Sequence, residues 1–97
     1  MGFVQIIEFR TSKPDEMRKV ADDWEQQAGG ESKARRRVLT QDRDNPGRYL
    51  NIVFFDSYES AMENSSNPVT QEFAQKMMAL ADGPPSFFNL DVVEDVS

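Results

Sequence analysis

Four stretches of the chain carry the short-period or continuous apolar pattern of β-strands, and two carry apolar residues at helical spacing. The first strand pattern runs from Phe3 to Arg10, rich in β-branched and aromatic residues. Ser12-Lys13-Pro14-Asp15-Glu16 then reads as a helix start, with Ser12 or Lys13 at the cap and Pro14 in the first turn. The two acids that follow face the positive end of the helix dipole. Met17, Val20, Ala21, Trp24 and Ala28 make one apolar stripe, and Gly29-Gly30 ends it. Ala34 to Asp42 is a second strand, and Asn45-Pro46-Gly47 is a turn of type II sequence. Tyr49 to Phe55 is the strongest strand, so the second and third strands form a hairpin. Ser57 caps a short helix carrying Tyr58, Ala61 and Met62, and Asn64 to Asn67 is a polar break. Pro68 opens a second helical piece with Val69, Phe73, Met77 and Leu80 on one face, stopped by Asp82-Gly83-Pro84-Pro85. Phe87 to Val93 is the fourth strand. The order strand-helix-strand-strand-helix-strand predicts an α+β, ferredoxin-like βαββαβ domain with a four-stranded antiparallel sheet.

The alternation within the strands carries a further consequence. Leu50, Ile52 and Phe54 share one face of the third strand, and Tyr49, Asn51, Val53 and Phe55 the other. Val4, Ile6 and Glu8 oppose Phe3, Gln5, Ile7 and Phe9 in the first; Phe88, Leu90 and Val92 oppose Phe87, Asn89, Asp91 and Val93 in the fourth. Both faces are largely apolar, yet two helices cover only one face of such a sheet. A partner sheet is expected over the other, which predicts a homodimer through the sheet face.

At 97 residues and 38% hydrophobic content, the chain is expected to form a single domain over residues 1–97. No run is long and apolar enough to span a membrane, and Met1 to Gln5 lacks the features of a signal peptide, so the expectation is a cytoplasmic protein with no membrane partner. Without a secretion signal, the glycosylation pattern Asn64-Ser65-Ser66 carries no weight. Cysteine is absent, which excludes disulfides, zinc–thiolate sites, iron–sulfur clusters and cysteine nucleophiles. Histidine is also absent, removing the commonest general base, metal ligand and haem ligand. The net charge of −6 argues against a nucleic-acid partner. Asp42-x-Asp44-x-x-Gly47 superficially resembles a calcium loop, but Pro46 and Val53 stand at its fifth and twelfth positions, so it is rejected and no metal site is expected.

The element order, the length and the broken second helix resemble the dimeric α+β barrel superfamily, and within it the antibiotic-biosynthesis-monooxygenase-like group. The stretch from Phe55 to Pro68 carries the resemblance: a strand ending in an aromatic, an acidic or serine cap, and a short helix leading to Ala61-x-x-Asn64-x-x-x-Pro68. In that group the position of Asn64 is usually histidine. The resemblance implies a dimeric α+β barrel and cofactor-independent oxygenation of a small aromatic or apolar compound, with no cofactor. Haem degradation, known among related members, needs a histidine that this chain lacks. A non-catalytic dimer binding a small molecule or a protein is the alternative, since few residues remain that move protons near pH 7.

Catalytic residues are not assigned by any sharp motif. The candidates for substrate binding are Gln5, Trp24, Asn51, Asn64, Tyr49, Tyr58, Phe73 and Met77. Gln5, Asn51 and Asn89 fall on corresponding faces of three strands, with Gln5 and Asn51 on adjacent central strands in a 4-1-3-2 order; buried amides need partners, from a ligand or from one another. Trp24 is either core or the wall of a pocket, with a flat face and one donor. Tyr49 and Tyr58 open a strand and a helix and could each point a hydroxyl inward or sit at a rim. Asn64 takes the histidine position of the group but is no base near pH 7. Arg35-Arg36-Arg37 reads as charge protecting an edge strand, or as an anion clamp or a salt bridge across a dimer.

Overall fold

A computed structural model describes residues 2–28 and 34–96. The elements are β1 (Phe3–Arg10), α1 (Pro14–Ala28), β2 (Ala34–Gln41), β3 (Arg48–Phe55), α2 (Tyr58–Ser66), α3 (Pro68–Leu80) and β4 (Ser86–Asp91). They form the expected α+β arrangement, one antiparallel sheet in the order β2-β3-β1-β4 with the helices on one side. The glycines expected to end α1 lie outside the described residues.

Local chemistry sets the boundaries. The Lys13 carbonyl accepts the first helical bond of α1 from Met17, which puts Lys13 at the cap, and the Thr11 hydroxyl accepts from the Lys13 N–H at 2.9 Å. The β2–β3 hairpin closes through an Arg48 N–H to Asn45 carbonyl bond of 3.1 Å, with Pro46 and then Gly47 between them. Gly47 has φ +92, a conformation that type II geometry demands at that position and that a side chain would strain. Ser57 caps α2 by accepting from the Ser60 N–H. The break between the second pair of helices is narrower than the sequence pattern suggests. Helix α2 continues through Asn64 to Ser66, and Asn67 alone separates it from α3, capping α3 with its side chain on the Val69 N–H. Pro68 costs nothing there, because a first-turn N–H has no helical partner to lose.

The register confirms the predicted faces. Phe3, Gln5, Ile7 and Phe9 lie opposite Phe55, Val53, Asn51 and Tyr49 on β3, and Gln5 and Ile7 lie opposite Asn89 and Phe87 on β4. This is the helix side, where Phe3, Phe9, Asn51, Val53 and Phe55 are buried. Val4, Ile6, Val38, Leu50, Ile52 and Phe54 occupy the open side, together with Phe88 and Leu90, each 45% exposed.

In the arginine run, simple alternation fails at one residue. A β-bulge falls between Ala34 and Arg36, which sets Arg35 apart from the ladder. Arg35 reaches Asp56, with its Nη2 at 2.6 Å from the carboxylate. Arg37 binds Glu25 of α1, and Arg36 lies over the Phe54 ring at 5.6 Å. The run sits on an edge strand as expected, and these three contacts are all made within the chain.

Candidate functional site

The layer between sheet and helices divides into two parts. Under α2, Phe3, Val53, Phe55 and Ala61 form a closed apolar cluster flanked by Ala34 and Met62. Under α1 and α3, the stripe of α1 is buried at Met17 and Ala21, while α3 has no fully buried residue. The two helices pack on each other, with Trp24 and Phe73 rings 5.1 Å apart.

Asn51 lies in this second part, on central strand β3 with Ile7 and Leu39 as its cross-strand neighbours. It is 6% exposed, and its Oδ1 is sealed from solvent with no hydrogen-bond donor among the described residues. A buried acceptor left unpaired costs about 1–3 kcal/mol, so such an atom is a sign that something else supplies the donor. The other two amides of that sheet face answer one another: Gln5 Nε2 donates to Asn89 Oδ1 at 3.2 Å. The three amides expected on one face are therefore a satisfied pair and a lone acceptor.

Trp24 Nε1 and Thr70 Oγ1 are the other shielded polar side-chain atoms without a partner among the described residues. Trp24 extends the buried stripe of Met17 and Ala21, which faces the sheet. Thr70 stands four and seven residues before Ala74 and Met77, on the same stripe of α3. Ala74 and Met77 wall an apolar gap of ≈ 100 Å³ against Ile7, Phe9 and Phe87 of the sheet. Asn51 is thus carried by the sheet and Trp24 and Thr70 by the two helices, and none of the three lines that gap.

That gap has room to grow. Phe9 and Met17 separate it from a cleft of ≈ 320 Å³ at the end of the sheet, bounded also by Thr11, Leu39, Gln41 and Tyr49. On the outer side, Trp24 and Phe73 line a groove of ≈ 100 Å³ with Asp23, Glu72 and Lys76. A methionine in the dividing wall yields readily, because its unbranched side chain has several accessible rotamers.

The candidates distribute unevenly over this geometry. Phe73 and Met77 line the inner gap, Trp24 and Asn51 bring unpartnered atoms to the layer, and Tyr49 stacks on Phe9 at 5.6 Å at the mouth of the larger cleft. Gln5 is committed to Asn89. Tyr58 packs edge-on against Phe3 at 5.4 Å and is 51% exposed, on the closed side of the layer. Asn64, in the last turns of α2, lines none of these spaces, and its backbone carbonyl accepts from Asn67. Thr70 was not among the candidates, since a lone threonine in a helix is usually a surface residue; its place on the Ala74–Met77 stripe was the available signal.

Charge is arranged at the periphery. The Asp56 carboxyl is held below the usual carboxylate range by its hydrogen bonds from Arg35, whose own pKa is raised by the same contact. Asp42 is lowered first by the Asp44 N–H and next by Arg48, and Arg48 bridges Asp42 at 2.8 Å and Glu8 at 2.7 Å. No group of acids among the described residues could hold a metal ion. Among the described residues, no helix is long and apolar enough to cross a membrane.

By sequence, the chain matches no protein-family model and no curated protein. By structure it is similar to a Caulobacter crescentus protein assigned to the antibiotic biosynthesis monooxygenases (TM-score 0.83, 18% identity, 96% of this chain and 91% of that one). It is equally similar to a variant of SnoaB, a cofactor-independent oxygenase from Streptomyces nogalater (TM-score 0.83, 14% identity, 98% and 96%). The chain has the antibiotic biosynthesis monooxygenase-like fold. Rv0793 from Mycobacterium tuberculosis superposes over the whole of both chains, with a TM-score of 0.81 at 16% identity. The resemblance built on Phe55 to Pro68 therefore holds for the architecture, and the monooxygenase-like fold here places Asn51 on a central strand facing the helices.

Proposed function

We propose that the chain is an oxygenase that needs no cofactor and acts on a small aromatic compound bearing an ionisable hydroxyl, held between the sheet and helices α1 and α3. The observation that carries this reading is the shielded, unpartnered Asn51 Oδ1, whose cross-strand neighbour Ile7 lines the apolar gap. A substrate hydroxyl would donate to it, and Phe73, Met77 and Ile7 would cover the ring. The likeness in fold to SnoaB supports the reaction class.

The chemistry suits a chain without histidine or cysteine. A substrate phenolate pushes its electron pair to a ring carbon, which bonds to dioxygen. The resulting hydroperoxide loses water to leave a carbonyl. One oxygen atom stays in the quinone product, the other leaves in water with the hydroxyl hydrogen and the displaced ring hydrogen, and dioxygen accepts four electrons in all. The protein contributes position and dryness rather than a base. The pH dependence of turnover is therefore expected to follow the substrate's own hydroxyl pKa.

The open sheet face, with Phe88 and Leu90 exposed beside Ile6, Ile52 and Phe54, supports a homodimer formed through that face. Sedimentation would show twice the chain mass; a monomer at micromolar concentration would remove the dimer from the reading.

Oxygen uptake by metal-stripped protein on a panel of naphthols and hydroquinones tests the activity. Asn51→Ala is expected to lower kcat/KM by tenfold or more. Absence of uptake across the panel, or an unaffected variant, sinks the oxygenase. Ligand binding without oxygen uptake would support the second reading, a binding module, which the absence of histidine and cysteine favours.

A further inference from the structure

A ligand that pairs with Asn51 Oδ1 must first reach it, and in the free protein that oxygen is sealed, and Asn51 lines neither the apolar gap nor the cleft. Something beside it has to move, and the pairing in the sheet gives the direction. On the helix face, Asn51 has Leu39 of β2 and Ile7 of β1 as cross-strand neighbours, and Tyr49, two residues earlier on β3, pairs with Phe9. Leu39, Tyr49 and Phe9 bound the ≈ 320 Å³ cleft at the end of the sheet, whereas Ile7 and Phe9 bound the ≈ 100 Å³ gap. Asn51 therefore stands on the strip of sheet between the two spaces.

Two residues line both spaces, Phe9 and Met17. Phe9 is buried on a central strand, and its ring stacks on Tyr49, 5.6 Å away and 12° from parallel. Met17 is buried as well, but it comes from helix α1 on an unbranched side chain with several rotamers. Phe73 is shared between the gap and the outer groove, yet every residue lining that groove belongs to α1 or α3, so a breach there leads away from the sheet. Resting on the proposed substrate site, we infer that the cleft is its entrance and that Met17 is its gate. A swing of Met17 joins cleft and gap over the row Leu39, Asn51 and Ile7, and opens the amide oxygen to the incoming hydroxyl. Its return behind the ligand shuts out water. Met17 is a positioning residue: it makes no polar contact with the ligand.

Anaerobic binding of 1-naphthol, followed by stopped flow through the naphthol's own emission, tests the gate. Met17→Ile keeps a similar volume but stiffens the side chain at its first torsion. It is expected to slow association and dissociation alike, by about tenfold, and to leave Kd within about twofold, because a gate changes the barrier and not the end states. Native rates in Met17→Ile overturn the inference. So does a weaker Kd with association unchanged, which would make Met17 an ordinary contact. The chain has no cysteine, so a single one can be introduced and labelled with a bulky thiol reagent. A label on Gln41→Cys, at the exposed rim of the cleft, is expected to slow association by about tenfold or more. The same label on Met78→Cys, at the exposed rim of the gap, is expected to slow it far less. The reverse order would put the entrance at the gap's own rim and overturn the inference. That result leaves the proposed function standing, since oxygen uptake and its loss in Asn51→Ala are measured separately. Failure of the native, unlabelled protein to bind any naphthol or hydroquinone overturns both.

Discussion

The two ends of the helical layer are built on opposite terms. Beneath α2, the cluster of Phe3, Val53, Phe55 and Ala61 is closed, edged by Tyr58, and its helix is capped by Ser57. Beneath α1 and α3, Asn51, Trp24 and Thr70 are shielded yet unanswered, and Phe87 of β4 is 57% exposed beside the apolar gap. Both regions rest on the same strands: Val53 and Phe55 serve the closed end, while Asn51, on the same face of β3, serves the open one. The lesson is that one strand can anchor the fold with one pair of residues and hold an unsatisfied site two positions away. The rigid end supplies the stability that an imperfectly packed site withholds.

The sharpest attempt to break this contrast is truncation on each side. Phe55→Ala should cost about 3–5 kcal/mol, as expected for a buried aromatic. Phe73→Ala, on the half-buried side, should cost roughly 1–2 kcal/mol, since less of its ring leaves water on folding. Urea unfolding of the two variants decides it; equal losses would mean that the layer is packed uniformly. An effect of opposite sign, and smaller than that of Phe55→Ala, is expected at Asn51. Asn51→Leu keeps similar volume and removes the unpaired acceptor, so the free protein should gain up to about 1–3 kcal/mol while losing its ligand. A strongly destabilised leucine variant would show that the amide has a structural partner.

The smallest effect concerns the ion pair at the edge of the closed end. Because the folded Asp56 carboxyl is lowered below its ordinary value of 3.8, its contribution is present above that value and fades as pH falls through the folded pKa. Asp56→Asn should therefore melt slightly earlier than the native protein at pH 6, and the difference should close as pH falls through the folded carboxyl's lowered pKa. A gap that persisted in acid would assign the effect to packing rather than charge. With no histidine in the chain, stability should otherwise be flat between pH 5 and 8.

The sequence makes the closed end and the architecture readable. Pro46-Gly47 declares its turn, Ser57 and Pro68 declare their helices, and the apolar alternation of β1 and β3 declares two covered faces, because each of these signals is local. The open end is less legible. That Gln5 would bind Asn89 and abandon Asn51 depends on a register between strands 84 residues apart in sequence. The bulge at Arg35 shifts a side chain that strict alternation places beside Leu39. Asn64, the position that the family resemblance singles out, lines no cleft, whereas Thr70, which it passes over, carries a shielded hydroxyl without a partner among the described residues. An unsatisfied atom is defined by what does not reach it, and no single segment records that.

The sheet order also has a consequence for the chain as it is made. Strand β1 sits between β3 and β4, yet it is synthesised before either. The hairpin of β2 and β3 closes around a tight turn and can zip within microseconds of its appearance. Strand β1 must wait, with both edges bare, until β3 arrives to pair with one and β4, still later, with the other. The first strand of the domain to be made is therefore the last to have both edges covered, and the interval before β4 joins is when a chaperone would find Phe3, Ile6 and Phe9 most easily within reach.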